Sequence, residues 1–132
     1  MGLFLPWRCD YASEIFAQPF TVCQLPKNAS AVTGEWCFTG KTEDEYSLVC
    51  PTEQVPADTL RREDGWRGFF VDEGPLDFSM IGVLARISRV LAEAQVGIFV
   101  ISTYNTDYIF LKETQMAVAQ EALIRAGYTF GG

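Results

Sequence analysis

Two short polar segments hold the groups best suited to bind a small charged molecule. They are Gly74-Pro75-Leu76-Asp77-Phe78-Ser79, running on through Met80, Ile81 and Gly82, and Ser102-Thr103-Tyr104-Asn105-Thr106-Asp107. The first leads from a strand-like stretch into an amphipathic pattern. A helix start offers backbone N–H groups without intrahelical partners, and these suit an anion. The second is a polar tip between two apolar runs, with the carboxylate of Asp107 and the hydroxyls of Thr103 and Thr106. An anion site beside a carboxylate matches a zwitterion such as a free amino acid, whose two charged groups share one carbon. The expected contacts are the N–H groups of Met80, Ile81 and Gly82 for the ligand carboxylate, and Asp107 with nearby carbonyls for its ammonium. Thr103 or Thr106 adds a hydroxyl. Both segments also have structural uses: Ser79 is a natural N-cap, and Asn-Thr-Asp is good turn chemistry.

The elements between these segments decide whether they meet. Apolar residues at 80, 83, 84, 87, 90, 91 and 94 predict a helix over 80–94, with Arg86, Arg89 and Glu93 on its other face and Gly97 just past its end. The apolar runs 97–102 and 108–111 read as buried strands, and Trp66–Val71 as the strand before the helix. A path up one strand, down the helix, up the second strand and down the third puts the loop before the helix and the hairpin tip at one end. A second helix over 115–126, closed by Gly127, and a short strand over 128–130 complete a β-α-β-β-α-β order. That is the ferredoxin-like α+β plan, an antiparallel sheet with helices on one face. Its other face must meet another layer.

The first half reads as a reduced counterpart. Phe20–Leu25, Trp36–Thr39 and Tyr46–Cys50 look like strands, with short helical pieces expected over 10–18 and near 57–61. Glu45-Tyr46-Ser47-Leu48-Val49-Cys50 lies over Asp107-Tyr108-Ile109-Phe110-Leu111-Lys112 at an offset of 62 residues, while the ten residues between Leu25 and Trp36 leave no room for a full helix. The expected organisation is therefore a reduced unit over 1–62 and a complete one over 63–132. Glu43-Asp44-Glu45 reads as a solvated tip.

Composition narrows the function. In 132 residues, ten Lys plus Arg face seventeen Asp plus Glu, a net charge of −7. That opposes a nucleic-acid surface, which needs a basic stripe, and it opposes attraction to anionic lipid. No stretch approaches a membrane span, and the N-terminus is apolar only as far as Leu5, too short for a signal sequence. The expected compartment is the cytoplasm. Cys9, Cys23, Cys37 and Cys50 are widely spaced and the chain has no histidine, so a zinc site would need all four in one cluster. Small buried thiols, unpaired and without metal, are the expectation. Without histidine, a Walker loop or a dinucleotide fingerprint, no catalytic or cofactor arrangement is legible, and the chain reads as a non-enzyme.

At Gly74-Pro75-Leu76-Asp77-Phe78-Ser79 and Ile101-Ser102-Thr103-Tyr104-Asn105-Thr106-Asp107-Tyr108 the chain resembles the ACT-domain superfamily. The similarity is to the branch with the CASTOR-type amino-acid sensors and their small bacterial relatives. Thr42-Glu43-Asp44-Glu45-Tyr46-Ser47-Leu48-Val49-Cys50-Pro51 looks like the first-half signature of those bacterial proteins. The resemblance covers roughly residues 20–130. It implies tandem ACT units that bind an amino acid at a unit interface, a sensor or regulatory role, and a homodimer. It places ligand contacts at Ser79, Met80, Thr103, Thr106 and Asp107. A ligand-free ACT-like dimerisation module is the alternative. The N-terminal residues 1–18 depart from the family pattern, and arginine as the ligand does not carry over.

Overall fold

The computed structural model describes residues 12–72 and 82–130. Its strands are β1 (Ala12–Ile15), β2 (Phe20–Leu25), β3 (Phe38–Lys41), β4 (Tyr46–Pro51), β5 (Arg61–Asp72), β6 (Ile98–Ser102), β7 (Asp107–Lys112) and β8 (Thr129–Phe130). Two α-helices, α1 (Val83–Glu93) and α2 (Met116–Arg125), and 3₁₀ turns at Thr52–Gln54 and Glu113–Gln115 complete the described elements. The chain divides into two compact units. One takes its residues from 1–16 and 67–132, the other from 17–66, so β5 contributes to both.

In the larger unit the strand order is β8-β1-β5-β7-β6. The ferredoxin-like order of β5, β6, β7 and β8 is present, with β1 inserted between β5 and β8. β1 runs antiparallel to β5, Ile15 facing Phe69, and parallel to β8, Ser13 facing Phe130. The sequence predicts a short helix over 10–18, and strand β1 stands there instead. Ala-Ser-Glu-Ile has little intrinsic strand preference, so ladder bonds on both sides override local propensity. These pairings also place residues 12–16 with 67–130, whereas the sequence expectation groups them with the first 62 residues.

Both helices lie on one face of this sheet. Val83, Ile87 and Leu91 of α1 and Met116, Ala119 and Leu123 of α2 form a buried cluster with Phe69, Val96, Ile109, Leu111 and Tyr128. The alternate residues carry an aromatic layer. Phe99 stacks on Phe110 with ring centres 5.0 Å apart, and Phe16, Phe70 and Tyr108 meet at 5.5–6.1 Å. Gly68 belongs to this layer because a Cβ there would stand 2.6 Å from the Phe110 ring.

The helix ends are closed by the same backbone device. After α2, the Gly127 N–H bonds to the Ile124 carbonyl and the Tyr128 N–H to that of Leu123, both at 3.0 Å. After α1, Gln95 bonds to Ala92 and Val96 to Leu91, both at 2.9 Å. Gln95 takes the left-handed position, φ +63, where glycine is the usual residue. The predicted stop signal, Gly97, lies two residues further on. Arg86, expected on the solvent face of α1, instead donates to the Ala126 carbonyl at the end of α2 at 3.0 Å.

The smaller unit has the order β3-β4-β2-β5 and no α-helix over 17–66. β5 starts at Arg61, so the helical turn predicted near 57–61 is replaced by a turn at 57–58 and strand. Between the pairs Phe20–Trp66 and Val22–Glu63 the β5 side carries an extra residue, and Gly65, at φ +88, sits in this bulge. The fully buried Thr21 hydroxyl donates to Asp64 at 2.7 Å and meets the Thr52 hydroxyl at 2.9 Å. Cys23, Leu25, Tyr46, Leu48 and Cys50 form the core of this unit, with Ala29, Val32, Cys37 and Val55 packed on it.

Two predictions follow from these environments. Replacing Gln95 by glycine removes the left-handed strain and should stabilise the protein by about 1 kcal/mol, read as a higher urea midpoint at unchanged slope. Burial pushes the Cys50 thiol from its ordinary 9.0 up to about 12. The unfolded chain loses this proton above pH 9 while the folded chain keeps it, so Cys50 disfavours folding increasingly as pH rises towards 12. Its contribution is about 1.4 kcal/mol per pH unit. Urea titrations across that window should show a shallower decline for Cys50→Ala than for the natural chain.

Candidate functional site

The helix that faces the candidate site begins later than its apolar pattern suggests. Gly82 has φ +102, a left-handed conformation that cannot belong to a right-handed helix, and α1 starts at Val83. The first bond of the helix runs from the Arg86 N–H to the Gly82 carbonyl at 2.8 Å. The N–H groups of the first turn that lack an intrahelical partner are therefore those of Val83, Leu84 and Ala85. The cap position belongs to Gly82, which corrects the expectation of Ser79 as N-cap. Ser79, Met80 and Ile81 lie outside the described residues.

The hairpin is held by backbone register. Ile98 faces Leu111, Val100 faces Ile109 and Ser102 faces Asp107, which leaves Thr103–Thr106 as the connection. Thr103 closes it twice, with its N–H at 2.8 Å and its hydroxyl at 3.1 Å to the Thr106 carbonyl. The Ser102 hydroxyl donates to Oδ1 of Asp107 at 2.5 Å, fixing a half-buried carboxylate. Ser102 was not among the residues singled out from sequence. Its signal was its place opposite Asp107 across the hairpin. Tyr104 is 92% exposed.

Element lengths bring the two parts to one end. α1 spans about 16 Å for its 11 residues, and β6 about 16 Å for its 5 residues. Only Ala94–Gly97 connect them, so the chain reverses and the start of α1 lies level with the end of β6, where Thr103 to Asp107 follow. The arrangement offers N–H donors on one side and a positioned carboxylate on the other. Thr106 is half-buried, and the Thr103 hydroxyl is already engaged within the turn.

The other hairpin repeats part of this plan. The Thr42 N–H bonds to the Glu45 carbonyl at 2.9 Å, and the Ser47 hydroxyl donates to Glu45 at 2.7 Å. Glu43, Asp44 and Glu45 are exposed there, as expected of a solvated tip. Among the described residues no group of three or more His, Cys, Asp or Glu is placed to hold a metal ion. No described helix is long and apolar enough to cross a membrane.

Comparison with known proteins agrees with this architecture. Residues 61–125 match the ACT domain family. A structure of a protein from Agobacterium tumefaciens superposes with a TM-score of 0.80 at 24% identity, covering 92% of each chain. A Vibrio cholerae protein of unknown function, described as a possible transport protein, gives 0.66 at 18% identity over 92% of each chain. The ligand-free regulatory subunit of aspartate kinase from Thermus thermophilus gives 0.54 at 10% identity, covering 89% of this chain and 94% of that one. At these identities the likeness is one of fold, and the fold is the ACT fold. No curated protein matches the sequence.

The late start of α1 makes Gly82 a structural determinant of the site. Gly82→Ala meets none of the described residues within 4 Å of the new methyl group but must adopt φ near +102. The variant should lose about 1 kcal/mol of stability, measured by urea denaturation. A loss near zero would show that the helix start can relax.

Proposed function

We propose that the protein is a cytoplasmic amino-acid-binding regulatory protein, a sensor whose ACT domain holds the ligand between the start of α1 and the β6–β7 hairpin. The supporting observation is that the start of α1 and the Ser102-supported Asp107 carboxylate occupy the same end of an ACT domain. The ligand carboxylate accepts hydrogen bonds from the N–H groups at the helix start, with Ser79, Met80, Ile81 and Gly82 forming the approach. The ligand ammonium is held by Asp107, and Thr103 and Thr106 border it. A second copy of the chain, in a homodimer, completes the enclosure. The signal is then a change in packing at that interface, because a ligand shifts an equilibrium only by its differential affinity for the two states.

The test is a thermal and urea stability screen of ligand-free protein against the twenty amino acids. A ligand at one hundred times its dissociation constant adds about 2.7 kcal/mol. At least one amino acid should raise the stability of the natural chain, and Asp107→Ala should abolish that response while keeping the natural fold and unliganded stability within about 1 kcal/mol. If no amino acid shifts folded, ligand-free protein, the sensor reading fails and the domain is a ligand-free dimerisation module.

A further inference from the structure

Three cysteines of the smaller unit lie on one face of its sheet. Cys23 faces Leu48 in the β2–β4 register, and Leu48 and Cys50 are alternate residues of β4, so Cys23 and Cys50 share a face. On the other side, β3 pairs with β4 so that Phe38 faces Val49. Continuing that register by one residue puts Cys37 opposite Cys50, and Cys37 packs against the buried cluster that holds Cys23 and Cys50. Cys50 is fully buried and Cys23 nearly so, whereas Cys37 is half-exposed just before β3. The chain reaches Cys37 through Trp36, whose φ of +62 reverses the backbone.

We propose that Cys37 and Cys50 form an oxidative modification site, where a hydroperoxide converts the facing thiols into a cross-strand disulfide. Facing Cβ atoms on neighbouring strands stand about 4.5–5.5 Å apart, and a disulfide draws them to about 3.8 Å. Closure therefore needs a shift of about an ångström, at the free end of a short strand. Accessibility orders the two sulfurs. Cys37 meets the oxidant and Cys50, behind it, resolves the product. Burial holds the Cys37 thiol above its ordinary value, so exposure rather than acidity sets this order.

The chemistry balances in two steps. The Cys37 thiol gives up its proton, and its sulfur attacks the outer oxygen of the hydroperoxide. The O–O bond breaks, an alcohol (water from hydrogen peroxide) leaves with a proton, and Cys37 becomes a sulfenic acid. The Cys50 sulfur then attacks the Cys37 sulfur, the S–O bond breaks, and the departing hydroxide takes the Cys50 proton as water. Two thiols and one hydroperoxide yield one disulfide, one alcohol and one water; the peroxide is reduced by two electrons.

The consequence is local and specific. The reduced Cys37 thiol donates to Oε1 of Gln54 at 3.3 Å, while Gln54 donates to the Glu35 carbonyl at 3.4 Å. These bonds fasten the turn before β3 to the 3₁₀ turn Thr52–Gln54, and a Cβ at Gly34 would displace the end of the Gln54 side chain. Oxidation removes the S–H donor and replaces that attachment by a covalent tie between β3 and β4.

The experiment treats reduced, folded full-length protein with excess hydrogen peroxide, followed by intact mass and non-reducing peptide mapping. The expected result is a loss of two hydrogens, a peptide pair joining Cys37 to Cys50, and full reversal by dithiothreitol. The rate should rise about tenfold per pH unit over neutral pH, as the thiolate fraction of Cys37 grows. Cys50→Ala should instead accumulate a sulfenic acid at Cys37, trapped by dimedone, and Cys37→Ser should leave Cys50 reduced. The natural chain needs no variant to fold for the mapping to decide. A chain that stays fully reduced while folded overturns the proposal. So does a bond that joins Cys37 to Cys9 or Cys23, or irreversible oxidation of Cys37 without a bond.

Discussion

The alternation of side chains along β7 governs the architecture around the candidate site. Ile109 and Leu111 point to the helices, while Tyr108 and Phe110 join the aromatic layer. Residues on a strand alternate faces with a period of two, so a slip of one residue against β6 would send both sets to the wrong side. Burial of Ile109, Phe110 and Leu111, all with no measurable exposure, makes such a slip costly. The register that survives pairs Phe99 with Phe110 and ends by pairing Ser102 with Asp107. The position of the carboxylate is thus a by-product of core packing several residues away.

The same packing fixes the opposite side of the site. Val83, Ile87 and Leu91 recur at i, i+4 and i+8 on the buried stripe of α1. Val83 is already buried in the first turn, so the helix is anchored from its first residue. Immediately before it, Gly82 leaves helical geometry, and the N–H groups of the next three residues are presented together. Arg86 adds a tie from the first turn of α1 to the end of α2, where a cation also complements the carbonyl end of a helix.

Strong periodicity made most of this legible in the sequence. The strands β2, β4, β6 and β7 and both helices follow from apolar spacing and from Pro or Gly punctuation. Three features did not follow, each for its own reason. β1 has the composition of a helix and becomes a strand because β5 and β8 offer it ladder bonds on both sides. β5 extends back to Arg61 through polar Arg-Arg-Glu-Asp, which carries no apolar alternation, because pairing with β2 and a bulge at Gly65 absorb the irregularity. α1 loses its first predicted turn at Gly82, since a glycine in an apolar helical pattern reads as a tolerated defect when it is in fact the boundary. Of the candidate site, Asp107, Thr103 and Thr106 were legible from turn chemistry. Ser102 required the register.

The proposed binding groups differ in how much of their geometry is fixed before a ligand arrives. The Asp107 carboxylate is restrained by Ser102, and the turn beneath it is closed twice by Thr103. Little entropy is left to lose there when an ammonium binds, which favours affinity through preorganisation. That restraint costs selectivity nothing, because every amino acid presents the same ammonium and carboxylate. Discrimination must come from whatever surrounds the ligand side chain, and the described hairpin supplies few candidates: Tyr104 points into solvent and Asn105 is exposed. In this reading the α1 start and the hairpin recognise the zwitterion, while a second copy of the domain closes over the side chain and selects among amino acids. Selectivity and assembly are then one equilibrium, so ligand identity and dimer stability must change together by thermodynamic linkage.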